Sequence, residues 1–188
     1  VDEIIANGGD GNDFIFVKSS VNKKLTFNGQ GGDDTFIING GSSDSVIIGG
    51  DGKDTFTGGA YGVTYYGGLG DDRFFGGNSK DIVYMGAGKN EIRSAGGDDI
   101  IYIEGTDDIV DAGSGDDIIY SDLVGLLHVS GGKGDDKVIL DSFASDENLV
   151  LGAQRFEYKY KTVTFDESLE SLVVTDTSNN TKLVNDDA

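Results

Sequence analysis

Apolar residues recur along this chain with a fixed beat: three strand-forming residues with an apolar one in the middle, then six small or polar residues. From Gly40 the sequence divides every nine residues without a gap as far as Tyr120, with blocks starting at 40, 49, 58, 67, 76, 85, 94, 103 and 112. GGDGKDTFT from Gly49, GGLGDDRFF from Gly67 and AGSGDDIIY from Ala112 are near-copies, and the register returns at Gly8, Ser20, Gly29 and Gly131. The eighth positions hold Ile15, Phe27, Phe36, Ile47, Phe56, Tyr65, Phe74, Val83, Ile92, Ile101, Val110, Ile119 and Val138. Side chains alternate along a strand, so position eight faces one way and positions seven and nine face the other. A three-residue strand buries little alone, so the blocks must stack. Two blocks make one coil, and coils stack at about 4.8 Å. The pattern predicts an all-β chain, a parallel β-solenoid whose two sheets enclose a thin core of position-eight side chains.

The six-residue turns carry Gly at positions one, two and four and Asp at position six. Glycine lets the backbone take positive φ, so several carbonyls can aim at one point. Stacked turns then present a row of carboxylate and carbonyl oxygens. Such hard donors suit Ca²⁺, which takes about six to eight oxygens in flexible geometry, whereas Mg²⁺ holds to tight octahedra and keeps its water. Zinc would want His or Cys, and the chain has one His, His128, and no Cys.

Taken together, G-G-x-G-x-D-x-U-x over roughly residues 8–139 resembles the repeats-in-toxin (RTX) nonapeptide. The resemblance implies a right-handed parallel β-roll over residues 1–140 that binds calcium. Members of that family are typically large proteins exported from Gram-negative bacteria by type I secretion: toxins, proteases, lipases, adhesins and surface-layer proteins. It also implies that each ion lies between successive turns on one flank, held by turn carbonyls and the sixth-position Asp. On this sequence the first flank then has Asp13, Asp34, Asp54, Asp72, Asn90 and Asp108 at position six, and the second has Leu25, Ser45, Val63, Asp81, Asp99, Asp117 and Asp136. Carbonyl ligands are expected at Gly8, Asp10, Gly29, Gly31, Gly49, Asp51, Gly67 and Leu69 on the first flank, and at Gly76, Asn78, Gly96, Ser114, Gly131 and Lys133 on the second. Full carboxylate pairs are 13/34, 34/54 and 54/72 on one side and 81/99, 99/117 and 117/136 on the other. About six well-formed sites follow, and about eight if two weaker ones around Asn90 are counted.

The Asp-Asp pairs at 33/34, 71/72, 98/99, 107/108, 116/117 and 135/136 also invite comparison with the paired carboxylates of glycosidases. Neighbouring residues in extended backbone point in opposite directions and cannot face one bond. Repetition suits a scaffold, since catalysis needs one unique cleft. His128, in LLHVS, has no nucleophile nearby and is expected in a strand or loop. The module is therefore expected not to be an enzyme, though it could be the accessory domain of one.

Composition sharpens the calcium expectation. The 188 residues include 31 Gly and no Pro, and carry a formal net charge of −20. A chain so acidic and glycine-rich ordinarily stays disordered, and its carboxylates repel one another without a counter-charge. Binding about six ions would add roughly 12 positive charges, and where no site exists in the unfolded chain, binding energy becomes folding energy. Extracellular calcium modules work at roughly 10⁻⁴ to 10⁻³ M, so the segment is expected to fold after leaving the cell, as a secreted or cell-surface protein. Nucleic acid is excluded as a partner because phosphates are repelled. No apolar run approaches the roughly 18 residues of a membrane-spanning helix.

Two features stand outside the repeat. At position nine, Tyr66, Tyr84, Tyr102 and Tyr120 follow at coil spacing and should form an outward ladder. It either stabilises the sheet as cross-strand pairs or offers a contact surface for a protein or other ligand, as in an adhesin or surface-layer module. Residues 141–188 lose the period and read as a few ordinary strands, a C-terminal β cap for the open end of the solenoid that also resembles a type I secretion-signal region. With Val1 in place of Met and no capping element before Ile4 and Ile5, upstream domains of a parent protein are expected.

Overall fold

A computed structural model of the chain describes residues 2–105, 107–121 and 126–143, and beyond these the strand backbones at 150–152, 155–158, 161–165, 171–176 and 181–184. Side chains are described as far as residue 139, residue 126 aside. The solenoid strands are β1 (Glu3–Asp10), β2 (Phe14–Val17), β3 (Lys24–Gly31), β4 (Thr35–Ile38) and β5 (Ser45–Asp51). They continue as β6 (Thr55–Gly58), β7 (Val63–Leu69), β8 (Arg73–Phe75), β9 (Ile82–Ala87) and β10 (Glu91–Arg93). The last of them are β11 (Ile100–Ile103), β12 (Asp108–Ser114), β13 (Ile118–Ser121), β14 (Leu126–Lys133) and β15 (Lys137–Phe143). β16 (Val150–Gly152), β17 (Arg155–Tyr158), β18 (Lys161–Phe165), β19 (Ser171–Asp176) and β20 (Thr181–Val184) follow.

Odd-numbered strands from β1 to β15 lie side by side in one sheet and even-numbered strands from β2 to β14 in the other, every neighbour parallel. This is the expected β-solenoid. Its coil length settles as it grows: partner residues are 21 apart at Asp13/Asp34, 20 at Asp34/Asp54 and 18 at Asp54/Asp72. At the far end β18 and β19 extend the two sheets in parallel, and β17, β16 and β20 continue them antiparallel. The side chains of 140–188, and with them the capping role expected of 141–188, lie outside the described residues. Among the described residues no helix is long and apolar enough to cross a membrane.

Position eight forms the core as the pattern requires. Every residue there from Phe27 to Val138 is buried, and Ile15, in the first coil, is partly buried against the cluster. Burying a side chain of this size contributes about 1.5–3 kcal/mol. Part of the core is aromatic: Phe56 and Phe74 stack at 5.0 Å between ring centroids, and Tyr65 lies tilted against both at 5.3 and 5.4 Å. Outside, Tyr66, Tyr84, Tyr102 and Tyr120 stack at 4.8, 4.5 and 4.8 Å with planes within 7° of parallel. The rings spend their faces on each other and present edges and hydroxyls outward. His128 lies in β14, in register with Ile109.

Candidate metal centre

Glycine serves the turns in two distinct ways. Positions two and four need positive φ, as at Gly50 (φ 122) and Gly52 (φ 131), a conformation that side-chain-bearing residues adopt at a cost. Position one needs space. A Cβ on Gly49 would run into Asp54 Oδ2 and come within 2.7 Å of the Gly67 carbonyl oxygen on the next coil. Gly8, Gly29, Gly67, Gly76 and Gly131 each face the Oδ2 of their own turn's Asp in the same way, at Asp13, Asp34, Asp72, Asp81 and Asp136. Each of these turns therefore folds around a small cradle, walled by a carboxylate oxygen.

The other oxygen of each carboxylate ties the coils together. On the first flank, Asp13 N–H donates to Asp34 Oδ1, Asp34 N–H to Asp54 Oδ1 and Asp54 N–H to Asp72 Oδ1, each at 2.8 Å. The row continues through Asp72 N–H to Asn90 Oδ1 and Asn90 N–H to Asp108 Oδ1. On the second flank the donors are Val63, Asp81, Asp99 and Asp117, and the acceptors Asp81, Asp99, Asp117 and Asp136, at 2.7–2.9 Å. Oδ1 is thus used once per coil. Oδ2 of Asp13, Asp34, Asp54, Asp72, Asp81, Asp99 and Asp117 is buried with no hydrogen-bond partner.

Carboxylates desolvated in this way resist ionisation. Burial pushes Asp54 up to about 6, and Asp72, Asp81, Asp99 and Asp117 up to about 7. Asp34 is raised for the same reason, with the neighbouring Asp13 and Asp33 charges adding to it. A row of buried anionic oxygens, each left without a donor, needs either protons or cations. Among the described residues no three acidic or histidine side chains converge on one point. A cation here would take one or two carboxylate oxygens and draw the rest from the main chain.

Main-chain oxygens are at hand. The position-one carbonyls of Gly29, Gly49 and Gly67 each reach into the cradle of the coil before. Carbonyls of Gly31, Asp51, Leu69, Ser114 and Lys133 at position three each accept one N–H, from Gly11, Gly32, Gly52, Gly97 and Gly115, at 2.7–2.9 Å. A carbonyl has two lone pairs, so one remains at each. Asp10 closes β1 at the first turn, and Gly96 bridges to Ser114 beyond the Asn78 turn. An all-oxygen set with few carboxylates and flexible spacing fits Ca²⁺.

The structure also shows where the rows stop. Asn90 turns its Nδ2 to the Gly86 carbonyl at 3.3 Å, so it offers a donor where Asp leaves a bare oxygen. The turns at 85 and 103 have the bulky Met85 and Ile103 at position one, 0 % and 3 % exposed, where the other turns with a bare Oδ2 have Gly or, at 94 and 112, the small Ser94 and Ala112. On the second flank Leu25 and Val63 are buried in the core cluster, and Ser45 Oγ accepts the Leu25 N–H at 3.1 Å. Reading position six alone overlooks position one; the signal was a bulky residue where the neighbouring turns have Gly, Ser or Ala. Position five was also overlooked. Asp33 Oδ1 accepts Lys53 N–H and Asp71 Oδ1 accepts Lys89 N–H, both at 2.9 Å, forming an exposed ladder beside the buried one. The pairs at 33/34, 71/72, 98/99 and 116/117 therefore divide into one exposed and one buried carboxylate serving different ladders.

The family model of the RTX calcium-binding nonapeptide repeat matches the chain in four copies, over residues 5–17, 28–60, 64–92 and 95–123. No curated protein and no solved structure matches it. The matched segments span more than half of the chain and coincide with the stacked turns whose carboxylates line the cradles. The chain belongs to the RTX calcium-binding nonapeptide repeat family.

Proposed function

We propose that the chain is a calcium-binding module of a larger secreted or cell-surface bacterial protein, non-enzymatic in itself, that folds on meeting extracellular calcium. In doing so it would stabilise its parent and help draw it outward during type I export. The supporting observation is the set of buried, unpartnered Asp Oδ2 atoms in two rows. The ion pairs Lys24–Glu3, Arg73–Glu91 and Arg93–Glu91 include none of these carboxylates. Without a cation each buried charge is a cost of folding; with one, Oδ2 and the carbonyls across the cradle become a ligand set while Oδ1 holds the next coil in register. Calcium then binds the folded state and has no preformed site in the unfolded one, so it drives the transition.

The tyrosine ladder serves in this scheme as a brace, since stacked cross-strand rings stabilise a sheet. Far-UV circular dichroism in millimolar calcium and in excess EDTA tests the proposal. A β-rich spectrum in calcium that gives way to a disordered one in EDTA is the expected result. A β-rich spectrum that chelation leaves unchanged would refute it.

A further inference from the structure

The first coil, formed by β1 and β2, differs from the later coils in what its outer side exposes. Ile5, Phe14 and Phe16, outward at positions seven and nine, are 64 %, 66 % and 51 % exposed. Their counterparts Ile37, Ile82, Ile100 and Ile118 on later coils are partly buried. Ile4 is half-exposed, while its partner on the next coil, Leu25, is fully buried. Beside these apolar groups run the edges of β1 and β2, whose outer backbone groups are a template for another strand.

The glycines show what shape fits there. A Cβ at Gly32, Gly52 or Gly70 would strike the carbonyl oxygen of the position-four glycine on the coil before, and one at Gly50 or Gly68 that of the position-two residue. Gly9 and Gly11 share the positive φ, 104 and 113, yet a Cβ on either meets nothing within 4 Å. The carboxylate row begins in the same condition. Asp13 N–H donates to Asp34 Oδ1 at 2.8 Å, and no coil brings an N–H to Asp13 Oδ1. The Gly8 carbonyl stands where those of Gly29, Gly49 and Gly67 each enter the cradle of the coil before.

We propose that the outer face of the first coil docks one further coil of the same nine-residue repeat, in parallel register, contributed by another stretch of the parent protein. The proposal rests on the reading of the chain as a module of a larger protein. Continuity with the coil-to-coil interface selects this occupant, because the face carries the clearance, the strand edges and the apolar end that every later coil already fills. The partner's strands would pair with β1 and β2, its position-six N–H would meet Asp13 Oδ1, and its position-eight side chains would cover Ala6 and Ile15. Its cradle would receive the Gly8 carbonyl, so docking would add one cation site shared by both. A second copy of the chain fits less well. Turned end to end, its strands would run antiparallel to β1 and β2, and its opposite end closes in the antiparallel pairs of β16 with β17 and β19 with β20.

The full chain extended at its N-terminus by a copy of its own residues 40–59 tests this, since that copy carries the nine-residue register into Val1. Hydrogen exchange, followed amide by amide, compares it with the wild type and with an extension of the same residues in scrambled order. Under calcium, β1 and β2 amides should exchange about tenfold more slowly in the ordered extension alone, the equivalent of one hydrogen bond. Calorimetry should count about one more ion there. Amides that exchange as in the scrambled control would overturn the proposal. So would a wild-type dimer, seen by light scattering in calcium and abolished by Phe14→Ser, because the face would then belong to a second copy. A wild-type chain that folds without taking up calcium would refute the calcium reading separately, and the exchange comparison would still decide the docking.

Discussion

The two flanks of the solenoid close their turns by opposite means, and they exchange means halfway along. In the first coils the first flank has open cradles at Asp13, Asp34 and Asp54, while the second is closed by Leu25, the Ser45 hydroxyl and Val63. In the later coils the second flank has open cradles at Asp81, Asp99 and Asp117, while the first is closed by Met85 with Asn90 and by Ile103. Only the coil joining Asp72 to Asp81 is open on both sides among the described residues. The coils of Leu25, Val63, Met85 and Ile103 are held on one side by packing that needs no metal, and that of Ser45 by its hydroxyl, while the other side carries an open cradle. In those coils the closed side is a fixed edge, against which the electrostatic edge can switch.

The largest effect should come from pH, which acts on all the open cradles at once. Asp54 has its folded value raised to about 6, and Asp72, Asp81, Asp99 and Asp117 to about 7, from an ordinary 3.8. The folded metal-free chain therefore binds more protons than the unfolded one. Its stability is fully present below the ordinary carboxylate range and is lost as pH rises through about 6 to 7. In EDTA, β-content measured by circular dichroism should rise as the solution is brought from pH 8 to pH 5, protons standing in for calcium. A metal-free chain that is equally disordered at both values would break the comparison, because burial would then not be what its carboxylates oppose.

Next in size is filling a cradle. Gly67→Val would drive its Cβ against Asp72 Oδ2 and the Met85 carbonyl, both at 2.5 Å. It should cost about 3 kcal/mol or more in saturating calcium, through overpacking and loss of the ion together. Thermal denaturation measures it. The same substitution at Gly58, on a turn already closed by Val63, should cost less.

Asp99→Asn should have a smaller effect, with a sign that depends on the metal. Asn90 already shows that an amide Oδ1 can hold the row, accepting Asp72 N–H at 2.9 Å. In calcium the variant should lose about 1–3 kcal/mol and about one bound ion by calorimetry. In EDTA it should be stabilised, because one buried charge is gone. Smallest in net stability, Val63→Asp should open the closed half of the second flank. It should destabilise the metal-free chain, recover in calcium, and add about one ion to the calorimetric count.

The period made much of this legible. Position eight as the interior and position six as two rows follow from spacing alone, because alternation along a strand and stacking of equal coils leave little freedom. What stayed hidden depends on contacts between residues about a coil apart. The inward direction of position one shows only once Gly49 is seen against Asp54, and only then do Met85 and Ile103 read as plugs. The division of labour between Asp33 and Asp34 also emerges from their bonds to Lys53 and Asp13 on neighbouring coils. Leu127 and Val129 are buried in the core from a stretch where the nine-residue register is interrupted, so no position number pointed to them.

The central claim is that cations fill crossed halves of the two flanks. A crystal structure of the calcium-bound chain, with ions assigned by anomalous scattering, tests it most directly. Anomalous peaks are expected between the turns bearing Asp13, Asp34, Asp54 and Asp72 on the first flank, and between those bearing Asp81, Asp99, Asp117 and Asp136 on the second. No peak is expected beside Val63 or Met85. A peak beside Val63 equal to that beside Asp99 would contradict the account.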